Sequence, residues 1–337
     1  MGTLTSGGAE MRRTSILAAL VLLLATPTVL VAAATSVELD LSRQVPVIEI
    51  YINDEGPFSF LVDTSLDVVA LDASVTRRLQ LTTSGQAWVG EAGVKGSLEG
   101  DAVQLTSVRV GSLSLPDVPA VSVDFSEWQG NDDLHGALGF SFFADHLLTL
   151  DYAGGRLLME EGVLPAADGV EVLDFTPGGS GGPAITIQVA GQAMSADLDS
   201  SRFGAVGLPE ALMDELPLAG RTGMIGIART PEGESVLIGG QLDGDVHIGA
   251  HVLSRPKLIF SDISPRANLG VRALMDYAVT FDQRNHRVRF TSKGSERLSA
   301  LHQQAARVAS LTGGEDLRTA FNAHRDKVRM LLILSPT

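Results

Sequence analysis

Two stretches of this chain lie over each other without a gap, and a sequence that repeats itself in this way is committed to two similar halves. Residues 138–156, LGFSFFADHLLTLDYAGGR, match residues 269–287, LGVRALMDYAVTFDQRNHR, at a constant offset of 131, with six identities in nineteen positions: Leu, Gly, Asp, Thr, Asp and Arg. The shared pattern reads as a Leu-Gly turn, a short amphipathic helix, a strand ending in Thr-x-Asp, a turn, and a strand opened by Arg156 or Arg287. The rest of each repeat lies upstream. In the first half the β-branched run of residues 47–52 and the turn cluster Asn53-Asp54-Glu55-Gly56 predict a hairpin that delivers Asp63 at a strand end, followed by Thr64 and Ser65. A second apolar run, residues 68–71, leads into a short helix that Ser74 could cap. In the second half residues 185–190 alternate, Gly191-Gln192 turns, and residues 193–198 return to deliver Asp199-Ser200-Ser201, followed by residues 205–208 and a helix opened by Pro209. The triplets Asp63-Thr64-Ser65 and Asp199-Ser200-Ser201 are therefore equivalent. Asp197 is a rival on the same face as Asp199, but it comes too early in the register.

Composition agrees with a mainly β protein. A chain of 337 residues is long enough for two domains, and its 36 glycines and closely spaced turn signals favour short strands over long helices before residue 294. The halves are expected at residues 45–165 and 184–293, with the Gly/Pro/Ser-rich residues 176–183 as a linker; with no Lys and no helix after it, that stretch fails as a phosphate loop. A net charge of −15 argues against a nucleic-acid partner, because phosphate binding needs a basic face. Arg12 and Arg13, an uncharged run and three alanines ending at Ala34 read as a secretory signal over residues 1–34, which implies a periplasmic or secreted protein. The alternative is an uncleaved anchor, since residues 16–34, about 19 in number, are long enough to span a bilayer. This is the one membrane contact expected, and oligomeric state is not legible.

The chemistry expected at the paired triplets follows from charge. Two aspartates meeting at a pseudo-two-fold axis cannot both ionise freely, so they share one proton and their apparent pKa values split. One carboxylate can then take a proton from a water while the other protonates a scissile carbonyl oxygen, which suits peptide hydrolysis without a metal, cofactor or covalent intermediate. Hydroxyls at Thr64 and Ser200 would link the two loops. The hairpin at residues 86–98, with Gly90, Gly93 and Gly96, carries Trp88, which either covers a bound ligand or plugs into its own lobe. Residues 228–237 form the corresponding hairpin. His247, His251 and His286 are scattered and the chain has no cysteine, so a zinc site is not expected. Ser180 and Ser200 could be called nucleophiles, but no histidine is placed by sequence beside either. Arg156 and Arg287 read as structural ion-pair residues.

Residues 60–81 resemble the Asp-Thr-Gly segment of the pepsin and retropepsin aspartic proteases. Gly136-Ala137-Leu138-Gly139 resembles the element that packs beneath that loop, and LMDYAVTFDQRNHRVRF resembles the close of bacterial aspartyl protease family proteins. The resemblance covers residues 45–293. It implies an all-β, bilobal acid-protease fold with an internal two-fold repeat and short helices, acting as an aspartic endopeptidase on polypeptides. Asp63 and Asp199 would be catalytic, supported by Thr64, Ser65, Ser200 and Ser201, with Trp88, Gly90 and Gly93 in a flap. A non-catalytic peptide-binding protein of the same fold is the alternative. The family has Gly third in the motif where this chain has Ser65 and Ser201, so either the serine amides still donate to the carboxylates or the loops are pushed out.

Beyond residue 293 the periodicity turns helical. Leu298, Leu301, Ala305, Val308 and Leu311 share a helical stripe, which predicts a C-terminal helical tail. Residues 316–337 resemble the opening of a thioredoxin-like domain, a helix and a central strand running into Ser-Pro-Thr. In such domains a redox pair of cysteine or selenocysteine comes next. A reading frame that continues through an in-frame UGA is one expectation; a tail docked on the lobes is the other.

Overall fold

The computed structural model describes residue 2 and residues 34–90, 97–125, 133–179, 181–230, 233–263 and 265–292. The signal segment, apart from Gly2 and Ala34, and the helical tail with its thioredoxin-like start lie outside the described residues. What is described is mostly strand. The helices are short: Ala73–Arg78 and Val271–Leu274 are α-helical, and Phe140–Phe143 and Glu210–Leu212 are 3₁₀ turns.

The duplication is visible in the order of the strands. One seven-stranded sheet runs Val47–Ile52, Glu55–Asp63, Gly136–Gly139, Val69–Asp72, Leu113–Val123, Leu98–Val110, Thr83–Val89. A ten-stranded sheet contains the same path: Pro183–Val189, Gln192–Leu198, Ala267–Leu269, Val206–Pro209, Lys257–Ser261, Gly233–Gln241, Gly223–Thr230. It is extended beyond Pro183–Val189 by the hairpin Asp245–Ile248 and His251–Ser254. In the first sheet Tyr51 and Ile52 also pair with Arg109 and Val108, which curls that half towards a barrel.

A six-stranded sheet takes strands from both halves, in the order Thr35–Glu38, Arg156–Glu160, Leu147–Asp151, Tyr277–Asp282, Arg287–Ser292, Val172–Asp174. Its central pair is the repeat found in the sequence. Thr149 stands opposite Thr280, and their buried hydroxyls lie 2.9 Å apart. Each Thr-x-Asp closes the turn that follows it: Asp151 accepts from the Gly154 amide at 2.7 Å, and Asp282 from the Asn285 amide at 3.2 Å. Arg156 and Arg287, expected in ion pairs, instead donate to Ser36 Oγ at 2.8 Å and to the Leu164 carbonyl at 2.9 Å.

The core follows the alternation of the strands. Ile48, Ile50 and Ile52 are buried on one face of their strand, where they meet Phe58 and Phe60 of the next. The same cluster continues through Leu148, Leu150, Val279 and Phe281 of the shared sheet into Leu198, Val206 and Phe260 of the second half. Each such side chain stabilises by roughly 1.5–3 kcal/mol when fully buried. Two local expectations are corrected. Asp72, not Ser74, caps the first helix: its backbone is extended and its Oδ1 accepts from the Ser74 amide at 2.8 Å, whereas Ser74 already lies inside the helix. Pro209 opens only a three-residue 3₁₀ turn, in which no side chain caps the exposed amides.

Candidate active site

The position of Asp63 is set by a strand crossing. Glu55–Asp63 runs parallel to Gly136–Gly139, with Asp63 opposite Gly139, and Gly136–Gly139 also pairs with Val69–Asp72. A third strand thus lies between the two that the aspartate loop connects, so the loop must arch over its end. A Cβ at Gly139 would stand 2.2 Å from the Val68 carbonyl oxygen, which is why glycine is needed there. The second half repeats the device. Ala267–Leu269 lies between Gln192–Leu198 and Val206–Pro209, and a Cβ at Gly270 would stand 2.5 Å from the Arg202 carbonyl oxygen. Each arch is tied down alike, by Phe140 N–H to the Leu66 carbonyl at 2.6 Å and by Val271 N–H to the Arg202 carbonyl at 2.9 Å. Leu66 and Arg202 therefore occupy equivalent places.

Four buried hydrogen bonds join the arches. The Thr64 amide donates to Ser200 Oγ at 2.9 Å, and the Ser200 amide donates to Thr64 Oγ1 at 3.0 Å. Thr64 Oγ1 in turn donates to the Leu198 carbonyl and Ser200 Oγ to the Val62 carbonyl, both at 2.7 Å. A hydroxyl donates and accepts at one atom, so Ser or Thr can fill this place where Ala or Val cannot. The loops are not splayed. The serines at the third motif position keep their amides on the carboxylates: Ser65 donates N–H at 2.8 Å and Oγ at 2.7 Å to Asp63 Oδ1, and Ser201 donates N–H at 3.0 Å and Oγ at 2.7 Å to Asp199 Oδ1.

The electrostatics of the pair are unequal. Asp63 is buried, and its pKa is pushed up to about 6, first by desolvation and then by the charge of Asp199, against the opposing pull of the Ser65 and Ser201 hydrogen bonds. Asp199 has a cation on it: Arg202 Nε lies 3.3 Å from Asp199 Oδ2. Tyr152, buried at the end of the shared-sheet strand Leu147–Asp151, has its ionisation raised by desolvation and by the charges of Asp199 and Asp63. Asp197, the rival, faces Arg266 at 3.3 Å across a contact that is ionic without hydrogen-bond geometry, and desolvation pushes its pKa up.

The structure thus gathers Asp63, Thr64, Ser65, Asp199, Ser200 and Ser201 in one place. Trp88 and Gly90 stand on the hairpin of Thr83–Val89 and Leu98–Val110, where half-buried Trp88 pairs with Glu99. Gly90 has φ +87° and faces Ser97. Gly93 and Gly96, like Ser180, lie outside the described residues. In the stretch read as a linker, Thr176 and Pro177 pair with Ala184 and Pro183, and Gly182 sits so close to the first arch that a Cβ would stand 2.2 Å from the Thr64 carbonyl oxygen. Arg202 escaped the sequence reading. Its signal was the mismatch after the triplets, Leu66 against Arg202. Among the described residues no group of three or more His, Asp or Glu is placed to hold a metal ion.

Residues 48–142 match the family model described as aspartyl protease. No curated protein matches the sequence. An aspartic proteinase from Irpex lacteus is similar in structure, with a TM-score of 0.50 at 15% identity over 77% of this chain and 97% of that one. Basic 7S globulin from soybean gives a TM-score of 0.48 at 12% identity over 78% and 96%. The first half of this chain therefore carries the sequence pattern of the aspartyl protease family, and the chain has the mostly β, bilobal fold of pepsin-like proteinases.

Proposed function

We propose that the protein is an aspartic endopeptidase that hydrolyses polypeptides bound between its halves, with Asp63 and Asp199 as the catalytic pair. The observation that carries this reading is the reciprocal lock between Thr64 and Ser200, which joins the loops of two buried aspartates, with the charge of Asp199 helping to push the pKa of Asp63 up to about 6. In that state one carboxylate accepts a proton from a water attacking the scissile carbonyl carbon while the other protonates the carbonyl oxygen. Ser65 and Ser201 fix the orientation of the two carboxylates, and the hairpin bearing Trp88 and Gly90 covers the peptide. The N-terminal apolar segment fits a site of action outside the cytoplasm.

The test is cleavage of a mixed peptide library by the purified full chain between pH 3 and pH 7. Internal cleavage in mild acid is expected, and Asp63→Asn should lower it by about 10²–10⁴-fold, the usual worth of a proton-transfer group. Unchanged cleavage in Asp63→Asn would move the activity elsewhere. Peptide binding with no cleavage in the wild type would favour the non-catalytic binding protein.

A further inference from the structure

The two loops of the pair differ at one equivalent position, where the second carries a cation on its aspartate. Positions 66 and 202 are equivalent by three observations: each follows its aspartate by three residues, each amide faces that aspartate's carbonyl (3.3 Å and 3.4 Å), and each carbonyl takes the amide of the residue after the Leu-Gly pair. In the first half the place holds Leu66, packed against the apolar cluster of Leu61, Val121 and Phe125. In the second it holds Arg202, whose Nε lies 3.3 Å from Asp199 Oδ2, while Ser201 holds Oδ1. The Asp199 side chain is 10% exposed and that of Arg202 36%, so solvent screens this contact in part.

We infer that Arg202 is a positioning residue that breaks the symmetry of the pair, holding Asp199 as the ionised base and leaving the single proton on Asp63 as the acid. The inference rests on the proposed peptidase reading for its catalytic consequence, though not for the location of the proton. Asp197, two residues before Asp199, faces Arg266 and also feels the charges of Asp199 and Arg202, and buried Tyr152, next to the shared-sheet strand Leu147–Asp151, has its ionisation raised by the charges of Asp199 and Asp63. From Glu55–Asp63 the facing group is Asp63 itself, whose upward shift has the charge of Asp199 as its second cause after burial. A proton placed by sequence in this way gives the two halves fixed roles: water is deprotonated on the Asp199 side, and the carbonyl oxygen is protonated from the Asp63 side.

The test replaces Arg202 by the residue of the other half, Arg202→Leu, with Arg202→Lys as the charge-conserving control, in the full chain. Carboxyl carbons of ¹³C-aspartate are followed by NMR across pH 3 to 8 and assigned with Asp63→Asn and Asp199→Asn. In the wild type the proton should be found on Asp63 while Asp199 reads as ionised. Arg202→Leu should spread it over both signals, and Arg202→Lys should return it to Asp63. In turnover, Arg202→Leu should lower kcat about tenfold with KM little changed and should move the acid limb of the pH profile upward, which Lys reverses. A proton already shared equally in the wild type, a rise in kcat in Arg202→Leu, or an unmoved pH profile would overturn the inference. The NMR measurement needs no turnover, so failure of the peptidase reading leaves it decisive.

Discussion

Asp63 is the residue on which pH acts. Its folded pKa of about 6 lies above the unfolded value near 3.9, so the native state holds the proton more tightly than the unfolded chain. The group therefore leaves folding undisturbed below about pH 4, opposes it increasingly from there to about pH 6, and opposes it fully above that. Asp63→Asn should raise the melting temperature at pH 7 and leave it nearly unchanged at pH 4, a difference that thermal denaturation at the two pH values would reveal. Ser65 works against burial, because its amide and hydroxyl both stabilise the charged carboxylate. Ser65→Ala keeps the amide and removes the hydroxyl, so the alkaline limb of the pH–rate profile should move to higher pH. An unmoved or lowered limb would mean that the hydroxyl does not act on the ionised form.

At the scale of elements, the two arches stand or fall together. Thr64→Val leaves the Ser200 amide without an acceptor and the Leu198 carbonyl without its donor, both buried. At roughly 1–3 kcal/mol for each unsatisfied group, the variant should lose about 2–6 kcal/mol in denaturant unfolding, whereas Thr64→Ser keeps both bonds and should lose less than about 1 kcal/mol. Equal losses in the two variants would place the effect in packing instead of hydrogen bonding. The crossing strands explain why so little tolerance remains: Gly139 and Gly270 already bring backbone against backbone beneath each arch.

Across the whole molecule the halves are joined by the shared sheet, whose centre is the contact between Thr149 and Thr280. Either Thr→Val change alone strands a buried hydroxyl, at a cost of roughly 1–3 kcal/mol, while the double change removes both partners and should cost far less than the sum. A double-mutant cycle by denaturant unfolding should return a coupling of about 1 kcal/mol or more, and additive losses would show that the two hydroxyls stabilise nothing jointly.

The sequence alone determined the duplication, the two aspartate hairpins and the strand class, because each is written in local terms: period-two alternation, turn residues, and a fixed offset between repeats. It also made the hydroxyls of Thr64 and Ser200 legible, since their chemistry has few substitutes. Three things came only from the folded chain. Whether serine could stand third in each motif depended on where its Oγ would point, and the arch turns it onto the carboxylate. The packing of Gly182 within the stretch read as a linker was not legible, because composition cannot tell a free glycine from one pressed against a carbonyl 118 positions earlier, as Gly182 is against Thr64. The ion pair of Arg202 with Asp199 came last, because a contact three residues along an irregular loop follows no period, and only the arch brings Arg202 Nε onto Asp199.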